Sequence, residues 1–348
     1  MTVRWGILGC GDVCERKSGP AFQKATGSSL VAVMRRNRAL AEDFARRHDV
    51  PRFYDDADAL VGDPDVDAVY VATPPGTHLE LALRVCRAGK PAYVEKPMAR
   101  NYDECVAMVR AFEQARVPLF VAYYRRGLER FRFARDIVGS GRIGKVSGVR
   151  YCYSAPHHAR LDPLALPWRV RAEHAGGGLL LDLGSHTLDI LDFILSPLEK
   201  VCGSATNCAS PHDVEDTVAM SFVTQSGIPG TAHWSFAADA HADRIDILGT
   251  RGHVSTPTFG EAPLEVAVDG KTETFPFPNP PSIQQPLIQS MVDALRGKGS
   301  CPSTGLTGSR TSAVMDQALL SYYGTRSGSF WETPDRWPGR RHSSDAAP

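Results

Sequence analysis

An excess of either charge is missing from this sequence: 39 Lys and Arg stand against 39 Asp and Glu, so the formal net charge is zero. No global field therefore draws the chain to nucleic acid or to an anionic membrane, and any recognition of phosphate has to be local. Long apolar runs are missing too. Nothing approaches the roughly 18 consecutive apolar residues that a membrane span needs. Paired cysteines are also absent: the eight cysteines fall irregularly at 10, 14, 86, 105, 152, 202, 208 and 301, with no CxxC. Several sit in apolar stretches such as Leu83-Arg84-Val85-Cys86. That pattern argues against a disulfide framework and for reduced, buried thiols in a cytosolic protein. The first residues lack a basic region followed by an apolar run, so no secretory signal is expected and the cytoplasm is the expected location.

What is present is enough apolar residue, 43% of 348, to fill the cores of two domains. In the first third, short apolar runs alternate with amphipathic stretches. Runs at 3–8, 29–34, 68–73, 92–95 and 119–122 read as buried strands, and stretches at 39–48, 78–88 and 102–116 read as helices. Strands buried on both faces and separated by helices predict a doubly wound parallel sheet over residues 1–122. Beyond residue 123 the pattern becomes an apolar helix over 178–195, then strands expected at 214–223, 231–236, 244–248 and 264–268. Turn pairs such as Ser226-Gly227 and Asp269-Gly270 separate these strands, which predicts antiparallel hairpins. Helical patterns follow at 283–296 and 309–323, and these late helices could pack back on the first domain. Residues 123–325 thus read as an α+β domain with a large, mostly antiparallel open sheet, and 326–348 as a surface-hugging or frayed tail.

The first strand runs into Gly9-Cys10-Gly11-Asp12-Val13-Cys14. The first glycine of such a turn allows the chain to fold tightly, and the second lets the backbone approach a pyrophosphate at a helix N-terminus. Cys14 takes the third position, small enough for close packing. Gly9, Gly11, Asp12 and Val13 are accordingly candidate cofactor residues. The second strand ends in Met34-Arg35-Arg36-Asn37, where NAD-binding chains carry an acidic residue for the ribose hydroxyls. Guanidinium groups pair with a 2′-phosphate in a planar fork, so Arg35 and Arg36 predict NADP(H) in preference to NAD(H).

Two more strand ends carry polar clusters, Ala72-Thr73-Pro74-Pro75-Gly76-Thr77-His78 and Glu95-Lys96-Pro97. In an open α/β sheet, ligands sit outside the carboxyl ends of the strands, which borders these loops on the nucleotide crevice. A third cluster lies in Gly176-Gly177-Gly178-Leu179-Leu180-Leu181-Asp182-Leu183-Gly184-Ser185-His186. On one continuous helix Asp182, His186 and Asp189 would share a face, with Leu180, Leu183, Leu191 and Ile194 opposite. Ionisable groups near the start of an apolar helix are costly unless paired or functional, which leaves a structural Asp–His pair and a catalytic one both open. His157, His158 and His174 lack a repeating ligand spacing, and no metal is expected.

Taken in order, Gly-x-Gly, Ala-Thr-Pro-Pro-x-x-His, Glu-Lys-Pro and Gly-Gly-Gly-x-x-x-Asp-x-Gly-x-His resemble the glucose-fructose oxidoreductase and inositol dehydrogenase family (Gfo/Idh/MocA) over about residues 2–322. The opening Arg4-Trp5-Gly6-Ile7-Leu8-Gly9 resembles its NADPH-dependent 1,5-anhydrofructose reductase branch. The resemblance implies a Rossmann domain, and Lys96, Asp182 and His186 as the catalytic set. Glu95 would approach the nicotinamide ribose, Thr73, Pro74 and His78 would line the cofactor, and Trp168-Arg169 would lie on the cofactor side. Where the family shows Asn-x-Arg-Phe, this chain reads Tyr123-Tyr124-Arg125-Arg126-Gly127, with substrate contacts expected at Tyr124 and Arg126. The implied reaction is hydride transfer between a nicotinamide and a secondary alcohol or ketone of a sugar, anhydro-sugar or polyol. Either His186 or Lys96 would deliver the proton, while Asp182 would orient the imidazole or bind a substrate hydroxyl. Relatives of this fold also reduce dihydrodiols and linear tetrapyrroles, and some act only as dinucleotide sensors. The family commonly pairs through its second sheet, so a homodimer or homotetramer is expected.

Overall fold

The computed structural model describes residues 2–340, except the side chains of His158 and Ala159, and divides into two compact units. The first comprises Met1–Ala99, Glu104–Leu128 and Asn279–Ser309; the second comprises Arg100–Asp103, Glu129–Pro278 and Arg310–Pro348.

The first unit is built on six strands: β1 (Val3–Leu8), β2 (Ser28–Met34), β3 (Arg52–Tyr54), β4 (Ala68–Val71), β5 (Ala92–Val94) and β6 (Leu119–Val121). They lie in the order β3-β2-β1-β4-β5-β6, and every pairing is parallel. Both faces of the inner strands are buried, so β4 reads as an unbroken apolar run rather than an alternating one. The strand order reverses between β1 and β4, and that switch point puts the Gly9 turn and the Thr73 loop side by side. The helix Gln285–Leu295 belongs to this unit, with Leu287, Ile288, Met291 and Val292 buried.

The second unit carries eight strands: β7 (Val146–Ser154), β8 (Leu198–Thr206), β9 (Thr217–Thr224), β10 (Pro229–Ser235), β11 (Ala242–Gly249), β12 (Gly252–Thr256), β13 (Leu264–Val268) and β14 (Lys271–Phe275). Their order is β14-β13-β12-β11-β7-β10-β9-β8, antiparallel throughout except for β7 with β10. One face carries the core. Val218, Met220 and Phe222 of β9 are buried, whereas Ala219 and Ser221 face outward and are exposed.

One expectation needs correction. Cys152 and Cys202 are exposed, because strand alternation turns them to the outer face, and Cys208 is exposed in a loop. The helix expected over 178–195 forms without a break, its first turn, Leu180–Gly184, π-wound and the rest, Ser185–Ile194, α-helical. Of the two forms expected for the tail, surface-hugging holds over 326–340: Phe330 and Trp337 are buried, most residues between them are exposed, and the Trp337 ring meets Tyr323 edge-on at 4.7 Å. The rest of the expected tail, 341–348, lies outside the described residues.

Candidate active site

In the first unit, Gly9 takes φ +88°, and a Cβ there would sit 2.6 Å from the Thr73 side chain. Only glycine fits both the left-handed conformation and the close approach. The Gly9 and Cys10 N–H groups both donate to Met34 O, at 2.9 and 3.2 Å, which ties this turn to the end of β2. At Gly11 a Cβ would meet nothing within 4 Å. That open flank lies beside exposed Asp12 and half-buried Val13. Cys14 is buried, and burial pushes its thiol well above the ordinary range. A further close approach falls at Gly19, where a Cβ would lie 2.4 Å from Cys14 O.

Arg35 and Arg36 are exposed immediately after β2, and among the described residues neither pairs with a carboxylate. Their neighbours are engaged. Asn37 caps the helix Arg38–Arg47 by accepting from Leu40 N–H, and Arg47 and His48 both bind Glu15, at 2.5 and 2.8 Å. The Arg47 guanidinium, aided by His48, holds the Glu15 carboxyl down at about 2.

Two expected cofactor residues turn inward. His78 is 0% exposed, so no ligand atom meets its ring. Its nitrogens face Thr73 O at 2.7 Å and the carbonyls of Pro97 and Met98 at 3.2 Å, which brackets the Thr73 loop to the segment after β5. Glu95 is also buried, and its carboxylate gathers three donors: Tyr70 Oη at 2.5 Å, Gln284 Nε2 at 2.9 Å and the Lys96 main-chain N–H at 3.0 Å. Tyr93 Oη donates to Gln284 Oε1 at 2.9 Å, and Tyr70 stacks on Tyr93 at 4.8 Å. Three donors satisfy a buried carboxylate that would otherwise be expensive. Glu95 and His78 thus fix the chain that presents half-buried Lys96, next to half-buried Thr73 and exposed Pro74. Gln284 was missed in the sequence, because its partner lies 189 residues away. Tyr124 and Arg126 are 4% and 3% exposed, and Arg126 donates to Pro302 O. Burial on that scale leaves a substrate little of either side chain to touch.

In the second unit, Asp182 is half-buried and pairs with Arg169, Nε to Oδ2, at 3.3 Å. The Arg169 guanidinium also lies 4.6 Å over the Trp168 ring. The predicted Trp168, Arg169 and Asp182 therefore come together. His186 is 4% exposed, one residue into the α-helix, with its ring edge-on to Phe259 at 6.0 Å. Phe259 is held in turn: the N–H groups of Thr258, Phe259 and Gly260 all donate to the Asp243 carboxylate. His157 was set aside in the sequence as a ligand without spacing. It bonds Tyr153 Oη at 2.9 Å, and burial lowers its pKa, helped by Arg160 and opposed by Asp182. The strict alternation of Val149, Tyr151 and Tyr153 along β7 was the signal that would have pointed to it. Lys96 belongs to the first unit, Asp182 and His186 to the second.

An oxidoreductase family with an NAD-binding Rossmann fold matches residues 3–123, and the GFO/IDH/MocA C-terminal domain matches residues 131–255. The chain belongs to the GFO/IDH/MocA oxidoreductase family. It is 33% identical to an oxidoreductase of Formosa agariphila, over 90% of this chain and 97% of the other. It is 30% identical to the 1,5-anhydro-D-fructose reductase of Ensifer adhaerens, over 88% and 92%. Among solved structures it resembles levoglucosan dehydrogenase in complex with NADH and levoglucosan, with a TM-score of 0.83, 23% identity, and 92% and 97% of the two chains covered. As a GFO/IDH/MocA member the chain is an oxidoreductase with a dinucleotide-binding first unit. Among the described residues no helix is long and apolar enough to cross a membrane.

Proposed function

We propose that this protein moves hydride between NADP(H) and a secondary alcohol or ketone of a sugar, anhydro-sugar or polyol. The observation that carries the reading is the strand end at Lys96, where a buried carboxylate with three donors fixes the main chain of one lysine. That strand end stands in the same row of carboxyl termini as the Gly9–Gly11 turn. The dinucleotide, when bound, supplies the hydride-carrying C4 position. The open flank of Gly11, with Asp12 and Val13, would take its pyrophosphate, and the exposed guanidinium groups of Arg35 and Arg36 would take a 2′-phosphate.

Lys96 would stabilise negative charge on the substrate oxygen as it develops. His186 and Lys96 are the two groups that would hold the proton exchanged at that oxygen, and an imidazole suits the task because its ordinary pKa lies near neutrality. Asp182, its charge offset by Arg169, would accept a hydrogen bond from a neighbouring substrate hydroxyl. The name of the Ensifer adhaerens relative supports an anhydro-sugar as the first substrate to try.

The test is turnover by purified protein in both directions, with NADPH or NADH, on 1,5-anhydro-D-fructose, levoglucosan, an inositol and a trans-dihydrodiol. The reading expects turnover of a polyhydroxy compound and a higher kcat/KM with NADPH. A higher value with NADH would overturn the cofactor assignment. Activity on the dihydrodiol alone would move the substrate out of the sugar class, and tight NADPH binding without turnover of anything would favour a sensor. For a macromolecular partner we assign a second copy of this chain to the outer face of the eight-stranded sheet. Ala219, Ser221, Thr231 and His233 lie exposed there, and light scattering reads the mass.

A further inference from the structure

The turn that carries Asp182 is braced from behind by a buried polar cluster that the chemistry above does not use. Gly176 takes φ +86°, and a Cβ there would lie 2.4 Å from Arg100 O; at Gly178 a Cβ would lie 2.1 Å from Glu215 O. Glycine is required at both because other main chain presses against the turn. Glu215 is 0% exposed, and its Oε2 accepts from the Gly178 N–H at 2.8 Å and from Tyr323 Oη. Its Oε1 has no hydrogen-bond partner among the described residues. The Arg326 side chain, also buried, donates through Nη2 to Gly176 O and Arg100 O, both at 2.7 Å, and pairs with Asp316 through Nη1.

The connection onward is short. Gly178 O accepts from Leu181 N–H at 3.2 Å, and Leu181 directly precedes Asp182. Burying a carboxyl with one oxygen unpartnered is costly, and burial pushes the Glu215 carboxyl above the usual carboxylate range despite its two donors. An apolar side chain could fill this volume more cheaply but could not hold the Gly178 N–H. Resting on the assignment of Asp182 and His186 above, we propose that Glu215, Tyr323 and Arg326 are positioning residues that set the turn presenting those two groups. The segment that carries Tyr323 and Arg326 is thereby part of the active-site framework rather than an appendage.

The test uses the full-length protein with NADPH and 1,5-anhydro-D-fructose, or NADP⁺ and levoglucosan if oxidation is faster. It reads kcat, KM, NADPH affinity by fluorescence, and Tm. Misplacing a reacting group by about 1 Å costs on the order of 100-fold in rate, so Glu215→Leu should lower kcat by roughly that factor and Tyr323→Phe by about tenfold. KM and NADPH affinity should stay near wild type in both. Glu215→Gln should keep kcat within about threefold, because one amide oxygen can accept both hydrogen bonds. If Glu215→Leu does not fold, Tyr323→Phe, which keeps the ring, carries the test. Wild-type kcat in folded Tyr323→Phe, or Glu215→Gln as impaired as Glu215→Leu, would overturn the proposal. His186→Ala separates the two levels: turnover retained there sinks the assignment of the turn itself, whereas its loss alongside a wild-type Tyr323→Phe sinks only the brace.

Discussion

Glu95 in the first unit and Glu215 in the second are both buried carboxyls that accept a main-chain N–H and a tyrosine hydroxyl, from Lys96 and Tyr70 in one case and from Gly178 and Tyr323 in the other. They differ in completeness. Gln284 supplies Glu95 with a third donor, and Tyr93 fixes Gln284, whereas Glu215 keeps one oxygen without a partner among the described residues. A satisfied carboxylate rigidifies its neighbours at little cost, while an unsatisfied one is retained at a stability penalty. The Lys96 strand end is therefore a rigid mount, and the Asp182 turn is a braced one that depends on contacts from the end of the chain.

The sharpest way to break this comparison is to remove the group the rigid mount exists to present. Lys96→Met should lower kcat by at least about 100-fold, the scale of one positioned acid–base group, while leaving NADPH affinity within a few-fold. Taking the third donor from Glu95 would make the first mount resemble the second. Gln284→Leu strips a hydrogen bond from a buried charge, and chemical denaturation should register a loss of roughly 1.5–3 kcal/mol, with kcat falling as well. A Gln284→Leu variant as stable as wild type would show that the hub is not rigid for the reason given. At the β2 end, replacing Arg35 and Arg36 together with alanine should narrow the NADPH-over-NADH ratio of kcat/KM by about tenfold or more, the weight of a charge-assisted hydrogen bond.

The smallest effect concerns Glu15, whose carboxyl is held at about 2 by Arg47 and His48. A group depressed on folding stabilises the native state above its unfolded pKa and loses that contribution as pH falls through the folded one. Glu15→Gln should therefore lower Tm at pH 7, and the gap to wild type should close between about pH 4.5 and 2. A gap that persists at the acid end would contradict the pairing.

The sequence made the first unit legible because its determinants are local. Each strand is an apolar run with its polar cluster attached, so Gly9, Thr73 and Lys96 could be assigned to strand ends from short windows. What stayed hidden was which way the side chains pointed. Glu95 and His78 read as cofactor contacts but face inward, because their partners Gln284, Pro97 and Met98 are set by tertiary packing. In the second unit, β7, β8, β12 and β14 were missed. The outward positions of β8, such as Glu199, Lys200 and Ser204, are polar enough to resemble a loop, and β7 begins with a glycine among its first three residues. The π-turn at Leu180–Gly184 has no sequence signature apart from Gly184, so α-helix throughout was the natural expectation.

The most direct measurement is a single-turnover experiment that mixes a carbonyl substrate, such as 1,5-anhydro-D-fructose, with enzyme preloaded with NADPH and follows loss of nicotinamide absorbance at 340 nm, for wild type, Lys96→Met and His186→Ala. The account predicts rapid oxidation of bound NADPH by wild type and little by either variant, both of which bind NADPH normally. Equal single-turnover rates in all three would contradict it.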